Sequence, residues 1–316
     1  MTRAVVASAF GGPKVLSVIE TPVGPPGPGE VLISVRAAGT NPIDYKVYSG
    51  AMGRDPARLP LRLGSEAAGV VTEVAGGVLG PGGLIRAGDE VVAYRIAGAY
   101  ADDVVVPASS VIPKPPTLSF EEASGMMLTG VTAAHALTAV GRPGAGQTVL
   151  IHGASGGVGL MAVQLAAAAG ARVIGTASQG AQALLREFGA EPVTYGAGLE
   201  ERVRALAVRG VDAAVDCVGG EEALDASLAM VADRGRIVTL IASRRAFDAG
   251  IKVIGGAPGA DAGPEIRSAA RLELARLASD GKLRVVVAAT YPLADAAAAH
   301  RALATGHAHG KIVLVP

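Results

Sequence analysis

The chain holds a single cysteine, Cys217, among its 316 residues. An internal disulfide is therefore excluded, and the cytoplasm is the expected location. An excess of either charge is also missing: 28 Lys and Arg balance 28 Asp and Glu. No net field draws the protein to nucleic acid or to an anionic membrane, and neither is expected as a partner. No uninterrupted apolar run approaches the ~20 residues needed to span a bilayer. The opening "MTRAVVASAFGGPK" has a short apolar run stopped by Gly-Gly-Pro, which reads as an edge strand and a turn, not a secretory signal. No internal repeat is evident. Half of the residues are hydrophobic and 18% are charged, the balance of a folded globular chain, and the length suggests about two domains.

Two rhythms divide what is present. Up to about residue 120 the chain shows short β-rich runs split by turn residues. "EVLISVRAAG" (30–39) and "AAGVVTEVAGG" (67–77) alternate or run apolar over strand lengths, and "AGDEVVAYR" (87–95) is a turn followed by a strand. "PVGPPGPGE" (22–30) reads as a Pro/Gly turn between strands. From about 124, strands and helices alternate. Strands are predicted at 147–152, 172–177, 192–195, 211–217, 235–241 and 251–256, with helix-period segments between them that glycine closes. Six strands with helical crossovers predict an α/β fold with a doubly wound parallel sheet. A helix at about 264–280 and a strand, helix, strand tail complete the chain.

The first strand of the second region runs into Gly153-Ala154-Ser155-Gly156-Gly157-Val158-Gly159 and then a helix. Strand, glycine turn, helix is the context in which such a loop grips a dinucleotide. Glycines let the backbone approach a pyrophosphate, and the helix start offers free N–H groups. In the G-x-G-x-x-G register the first glycine is Ala154, while Gly156 and Gly159 hold the other two places. Gly153, Ser155, Gly156, Gly157, Val158 and Gly159 are thus candidate cofactor contacts. The second strand ends on Ser178, where a site for NAD usually carries an acid. A serine does not repel a 2′-phosphate and can donate to it, which favours NADPH. No Lys or Arg lies between 173 and 185 to add a cation.

The chain resembles the medium-chain dehydrogenase/reductase superfamily, specifically its zinc-independent NADPH:quinone oxidoreductase (zeta-crystallin-like) branch. The matching pieces are 10–50, "GSEAAGVVTEV" (64–74), "GAYADDVVVPA" (98–108), "LTGVTAAHAL" (128–137), "HGASGGVG" (152–159), "VDCVGG" (215–220) and "GKIVL" (310–314). The resemblance implies a GroES-like, partly open β-barrel catalytic domain (1–123 and 265–316) with a Rossmann NADPH-binding domain (124–264) inserted, and an active site in the cleft between them. Zinc-dependent members carry a cysteine after "AAG" and a histidine in "GHEAAG"; Asn41 and Ser65 stand there in this chain. A catalytic zinc needs about three protein ligands, so no metal is expected.

By the same resemblance "NPIDYKVYSG" lines the site near the nicotinamide. Asn41 is then a contact to the cofactor or to the substrate carbonyl. Tyr45 or Lys46 could donate a hydrogen bond or a proton to oxygen, although Tyr45 could equally be an aromatic wall. Asp44 is expected to fix the loop. Thr129, Cys217, Val218, Leu240, Ile241 and Ala242 would flank the nicotinamide, and Tyr195 would join Ser178 at the adenine ribose, with Arg202 a further candidate there. A buried structural thiol remains the plain reading of Cys217, and packing the plain reading of His152. His307 and His309 suit a solvated turn. The implied activity is metal-free, NADPH-dependent reduction of quinones or α,β-unsaturated carbonyls by a homodimer. An enoyl-thioester reductase and a non-catalytic NADPH-binding protein are the alternatives.

Overall fold

A computed structural model describes all 316 residues. The chain divides into two compact units. One comprises Met1–Leu128, Arg271–Gly281 and Val285–Pro316; the other comprises Thr129–Ala270 and Lys282–Arg284. The long helix Pro264–Ser279 is shared between them.

The first unit is the GroES-like one. Its seven-stranded sheet runs in the order Val111–Pro113, Glu90–Tyr94, Glu66–Val74, Glu30–Gly39, Lys311–Val315, Val287–Pro292, with Asp103–Pro107 also paired to Glu30–Gly39. The C-terminal strand thus lies beside a strand near the N-terminus, pairing Val313 with Gly39 and Leu314 with Ala38. Alternating Val and Ile in "EVLISVRAAG" place Val31, Ile33 and Val35 in the core. A smaller sheet corrects one expectation. Thr2–Ala7 is its central strand, paired on both sides with Leu16–Thr21 and Leu61–Arg62, not an edge. The run "AVVA" is buried accordingly, because both neighbours satisfy its backbone.

The second unit is a Rossmann sheet. Its six parallel strands lie in the order Ala190–Thr194, Arg172–Ala177, Thr148–His152, Ala213–Asp216, Ile237–Thr239, Lys252–Val253. All six predicted strands are present, with ends shifted by at most three residues. Helices such as Gly157–Ala168 and Glu221–Met230 make the crossovers. The order reverses at Thr148–His152, and ligands of such sheets bind beyond the carboxyl ends of the strands at this switch point. No helix in the structure is long and apolar enough to cross a membrane.

Candidate active site

In the second unit the glycine loop leaves strand Thr148–His152 at the switch point. Gly153 takes φ +67, the left-handed region that glycine favours. Gly159 is required by packing: a Cβ there would lie 2.2 Å from the Gly153 carbonyl oxygen and 2.7 Å from Ala154 Cα. Gly156 differs, since a Cβ there would meet only the Gly153 oxygen, at an ordinary 3.5 Å. The protein itself therefore does not need a glycine at 156, but a ligand approaching the backbone would. The first helical bond joins the Leu160 N–H to the Gly156 carbonyl at 2.9 Å. The N–H groups of Gly157, Val158 and Gly159 precede it, at the positive end of a 12-residue helix. Ala154, in the place of the first glycine, is fully buried and donates its N–H to the Thr176 carbonyl at 2.9 Å. The loop fits a dinucleotide pyrophosphate.

Strands Arg172–Ala177 and Ala190–Thr194 pair Ala177 with Thr194, so Ser178 and Tyr195 follow side by side at the sheet's carboxyl end. The Ser178 side chain makes no cap bond to the turn that follows, and Tyr195 is half exposed. Arg202 is not a free cation beside them. Its guanidinium donates to the Thr194 carbonyl (2.8 and 3.1 Å), to Gly196 (2.7 Å) and to Ala197 (2.7 Å). Glu222 accepts the Gly196 N–H at 2.9 Å. Both side chains clamp the loop that carries Tyr195.

At the next strand ends, Asp216 Oδ1 accepts the N–H groups of Val218 (3.0 Å) and Gly219 (2.8 Å), and its Oδ2 accepts the Thr239 hydroxyl (2.8 Å). The Ile241 N–H donates to Thr239 Oγ1 at 3.1 Å, and Leu240 N–H to the Asp216 carbonyl at 2.9 Å. One carboxylate thus ties Cys217–Val218 to Leu240–Ala242, with Val218 beside Gly153. Burial, reinforced by Asp216, pushes the Cys217 thiol far up and keeps it protonated. His152 is buried under the loop, its Nε2 3.1 Å from Ser227 Oγ, and desolvation lowers its pKa from 6.5 to about 4. Thr129 is buried on helix Met127–Ala139.

In the first unit Asn41 is the N-cap of helix Pro42–Ser49 and is buried. Lys311 carries only donors, so its contact to Asn41 Oδ1 at 2.5 Å fixes the amide orientation. The amide nitrogen donates to Glu66 Oε1 (2.9 Å) and to the Gly39 carbonyl (3.3 Å). Lys311 Nζ also bonds Glu66 Oε1 (3.0 Å) and the Thr40 carbonyl (2.8 Å), while Glu66 Oε2 accepts the Leu128 N–H (2.8 Å). A glycine at 39 makes room, since a Cβ there would lie 2.8 Å from the Glu66 carboxylate. Both Asn41 side-chain N–H bonds are therefore engaged, and Oδ1 accepts from Lys311. The residue has no side-chain donor left for a substrate carbonyl. Tyr45 and Lys46 are half-buried on the same helix, and Tyr45 packs against the unit's apolar core. Ser65 Oγ is buried without a partner. The sequence pattern pointed to neither Glu66 nor Lys311, nor to the buried Tyr48, Tyr100 and His300 that surround Asp44. Their only signal was membership of matching pieces, "GSE" for Glu66, "GAY" for Tyr100, "GKI" for Lys311 and "NPIDYKVYSG" for Tyr48, and His300 had none.

Two family profiles match the chain: "Alcohol dehydrogenase GroES-like domain" over residues 27–116 and "Zinc-binding dehydrogenase" over residues 188–314. The quinone oxidoreductase of Mus musculus is 32% identical over 331 aligned positions, covering 100% of this chain and 98% of the mouse protein. The crystal structure of Escherichia coli quinone oxidoreductase complexed with NADPH is 30% identical, with a TM-score of 0.85 and 100% of both chains covered. The crystal structure of the enoyl reductase CurK is 25% identical, with a TM-score of 0.85 over 99% of each chain.

Proposed function

The chain belongs to the quinone oxidoreductase branch of the medium-chain dehydrogenase/reductase superfamily, and from that premise we propose that it is an NADPH-dependent, metal-free reductase of quinones or α,β-unsaturated carbonyls. The observation that carries the reading is the loop at Gly156, open to a ligand although packing does not require it. Bound there, NADPH would supply a hydride to the electrophilic carbon of the acceptor. The amides of Gly157, Val158 and Gly159 hold the pyrophosphate, and Ser178 and Tyr195 face the adenine ribose. Cys217–Val218 and Leu240–Ala242 border the nicotinamide through backbone and apolar contacts. Thr129 lies with them in this reading.

Asn41 Oδ1, held by Lys311, accepts from a ligand hydroxyl or carboxamide. Stabilising the acceptor oxygen falls to Tyr45 Oη, Lys46 Nζ or the unpartnered Ser65 Oγ, each of which can donate. A metal does not suit this site. The Lys311 ammonium occupies Asn41 Oδ1, and no group of three His, Cys, Asp or Glu side chains could hold an ion. Without a Lewis acid the acceptor must already be conjugated, which favours quinones and enones over simple ketones. The protein acts as a cytoplasmic homodimer in this proposal.

The experiment is NADPH oxidation against a panel of quinones, enones, enoyl thioesters and secondary alcohols with NADP, before and after chelation. Turnover of quinones or enones that survives chelation is expected. Zinc-restored activity, or alcohol oxidation at rates rivalling enone reduction, overturns the reading. Enoyl thioesters as the best acceptors would favour the second reading, which the structural likeness to an enoyl reductase supports.

A further inference from the structure

Four buried side chains, Asp44, Tyr100, His300 and Tyr48, form a chain of hydrogen bonds that the reaction scheme above leaves without a role. Asp44 Oδ2 accepts the Asn41 N–H at 2.8 Å and the Tyr100 hydroxyl at 2.7 Å. His300 Nε2 lies 3.2 Å from Tyr100 Oη, and His300 Nδ1 lies 3.1 Å from Tyr48 Oη. Tyr48, Tyr100 and His300 are each at most 1% exposed.

The chemistry of each group sets the direction of the chain. An ionised Asp44 only accepts, so Tyr100 donates to it. The Tyr100 oxygen then accepts, and His300 Nε2 must carry the hydrogen. His300 Nδ1 is left with a lone pair, which accepts from Tyr48. Each hydrogen along the chain then has an acceptor. If Asp44 takes up a proton and donates it to Tyr100, the sequence reverses. Tyr100 then donates to Nε2, Nδ1–H donates to Tyr48, and the Tyr48 hydroxyl hydrogen has no acceptor in the chain. Leaving a buried donor unpaired is costly, so the array favours the carboxylate.

We propose that Tyr48, His300 and Tyr100 are positioning residues that hold Asp44 as a carboxylate and, through its bond to the Asn41 N–H, fix the start of the helix that presents Asn41. This rests on the reductase reading of Asn41. Burial opposes the carboxylate and raises the Asp44 pKa from 3.8 to about 6, against the Tyr100 and Asn41 hydrogen bonds that lower it. The other charged groups facing Asp44 are Lys311, which favours the carboxylate, and Glu66, which opposes it. Tyr48, on the same helix, and Tyr100 are themselves pushed upward by burial and by Asp44, so both stay protonated donors. His300 is lowered to about 4 by burial and stays neutral.

The test uses the full-length Tyr100→Phe and Tyr48→Phe variants with NADPH and the best acceptor from the panel. Two curves are read: the acid limb of kcat/KM, and the infrared carbonyl band of the protonated Asp44, assigned by its loss in Asp44→Asn. Tyr100→Phe removes a hydrogen bond to a charged group, so both curves should move to higher pH by about one unit. Tyr48→Phe, which does not touch Asp44, should move both in the same direction by less. A residue that serves only packing would lower stability without moving either midpoint. Folded variants with unmoved carboxyl titrations overturn the proposal. A carboxyl that moves while the acid limb stays still also overturns it, because Asp44 would then not act on the reaction. Failure of the reductase reading is separate and shows as a wild type that reduces no acceptor.

Discussion

The two units build their polar sites from different materials. In the Rossmann unit the loop from Gly153 to Gly159 is backbone: amide groups at a helix start, and glycines where a side chain would collide. In the GroES-like unit the site is side chain: Asn41, Glu66 and Lys311 interlocked out of water, with Asp44, Tyr100, His300 and Tyr48 alongside. A backbone site tolerates changes in its neighbours but not added bulk. A side-chain network tolerates no unpaired member, because each loss leaves a charge or a donor stranded in the interior.

The sharpest test of that contrast is Lys311→Met. Removing the ammonium takes the Lys311 partner from Glu66 and from Asn41 Oδ1 in a buried site, and breaking such a pair costs about 3–5 kcal/mol. The double variant with Glu66→Gln should recover part of the loss. Urea unfolding of wild type, single and double variants is the measurement. A single variant within about 1 kcal/mol of wild type would mean that the network is not what holds this unit.

Acid should divide the units next. Each holds a buried histidine, His300 or His152, whose pKa desolvation lowers from 6.5 to about 4. A lowered pKa contributes stability that is present above the unfolded value and lost as pH falls through the folded one. Each histidine thus withdraws on the order of 3 kcal/mol between pH 6.5 and 4. Asp44 has the opposite sign. Its pKa is raised from 3.8 to about 6, so its contribution is fully present below 3.8 and lost as pH rises through 6. Acidification returns what His300 withdraws, and both sit in the GroES-like unit. His152 has no such counterweight. Hydrogen exchange at about pH 7 and about pH 4.5 should show residues 148–177 losing protection before residues 30–39 and 311–315. The reverse order would break the comparison.

The same contrast decides what could be read from the sequence. A backbone site is contiguous, so the strand, glycine loop and helix were legible in one stretch, and the alternating strands and helices after it gave the parallel sheet. The network is scattered. Lys311 meets Asn41 across 270 residues and Glu66 across 245, and His300 meets Tyr100 across 200. No local pattern distinguishes these residues from ordinary surface charges or core aromatics. Arg202 illustrates the limit from the other side. Its charge suggested a phosphate partner, but three loop carbonyls, invisible in sequence, engage it. The N-terminal strand read as an edge because its second partner, Leu61–Arg62, is about 55 residues away and only two residues long.

Gly156→Val separates a ligand requirement from a folding one. The wild-type φ of −76 and ψ of 171 suit valine, and the nearest atom to the new Cβ is 3.5 Å away. The protein should fold with its stability little changed. NADPH affinity, measured by fluorescence titration, should fall by roughly a hundredfold or more, about 2.7 kcal/mol. Gly159→Ala is the control, because its Cβ would lie 2.2 Å from a backbone oxygen and should lower stability itself. Unchanged affinity in a folded Gly156→Val protein would remove the loop from the cofactor site.

The smallest effect expected is on the choice between NADPH and NADH. Ser178 and Tyr195 stand beyond the paired ends Ala177 and Thr194 and offer two hydroxyls. Hydrogen bonds to a charged group contribute about 1.5–3 kcal/mol each. Arg202 adds no direct contact, since its donors are turned into the loop that carries Tyr195. A 2′-phosphate held by neutral hydroxyls gives a preference for NADPH that is modest and weakly dependent on salt, unlike one held by an exposed cation. Ser178→Asp should reverse it: the carboxylate repels the phosphate and accepts from the ribose hydroxyls of NADH instead. The measurement is the ratio of kcat/KM for the two cofactors, at low and high salt, in wild type and in Ser178→Asp. A shift of roughly tenfold or more toward NADH, about 1.4 kcal/mol, is expected. A wild-type preference that collapses with added salt would mean that a cation reaches the phosphate from elsewhere in the chain. A ratio unmoved by Ser178→Asp would mean that residue 178 does not face the ribose.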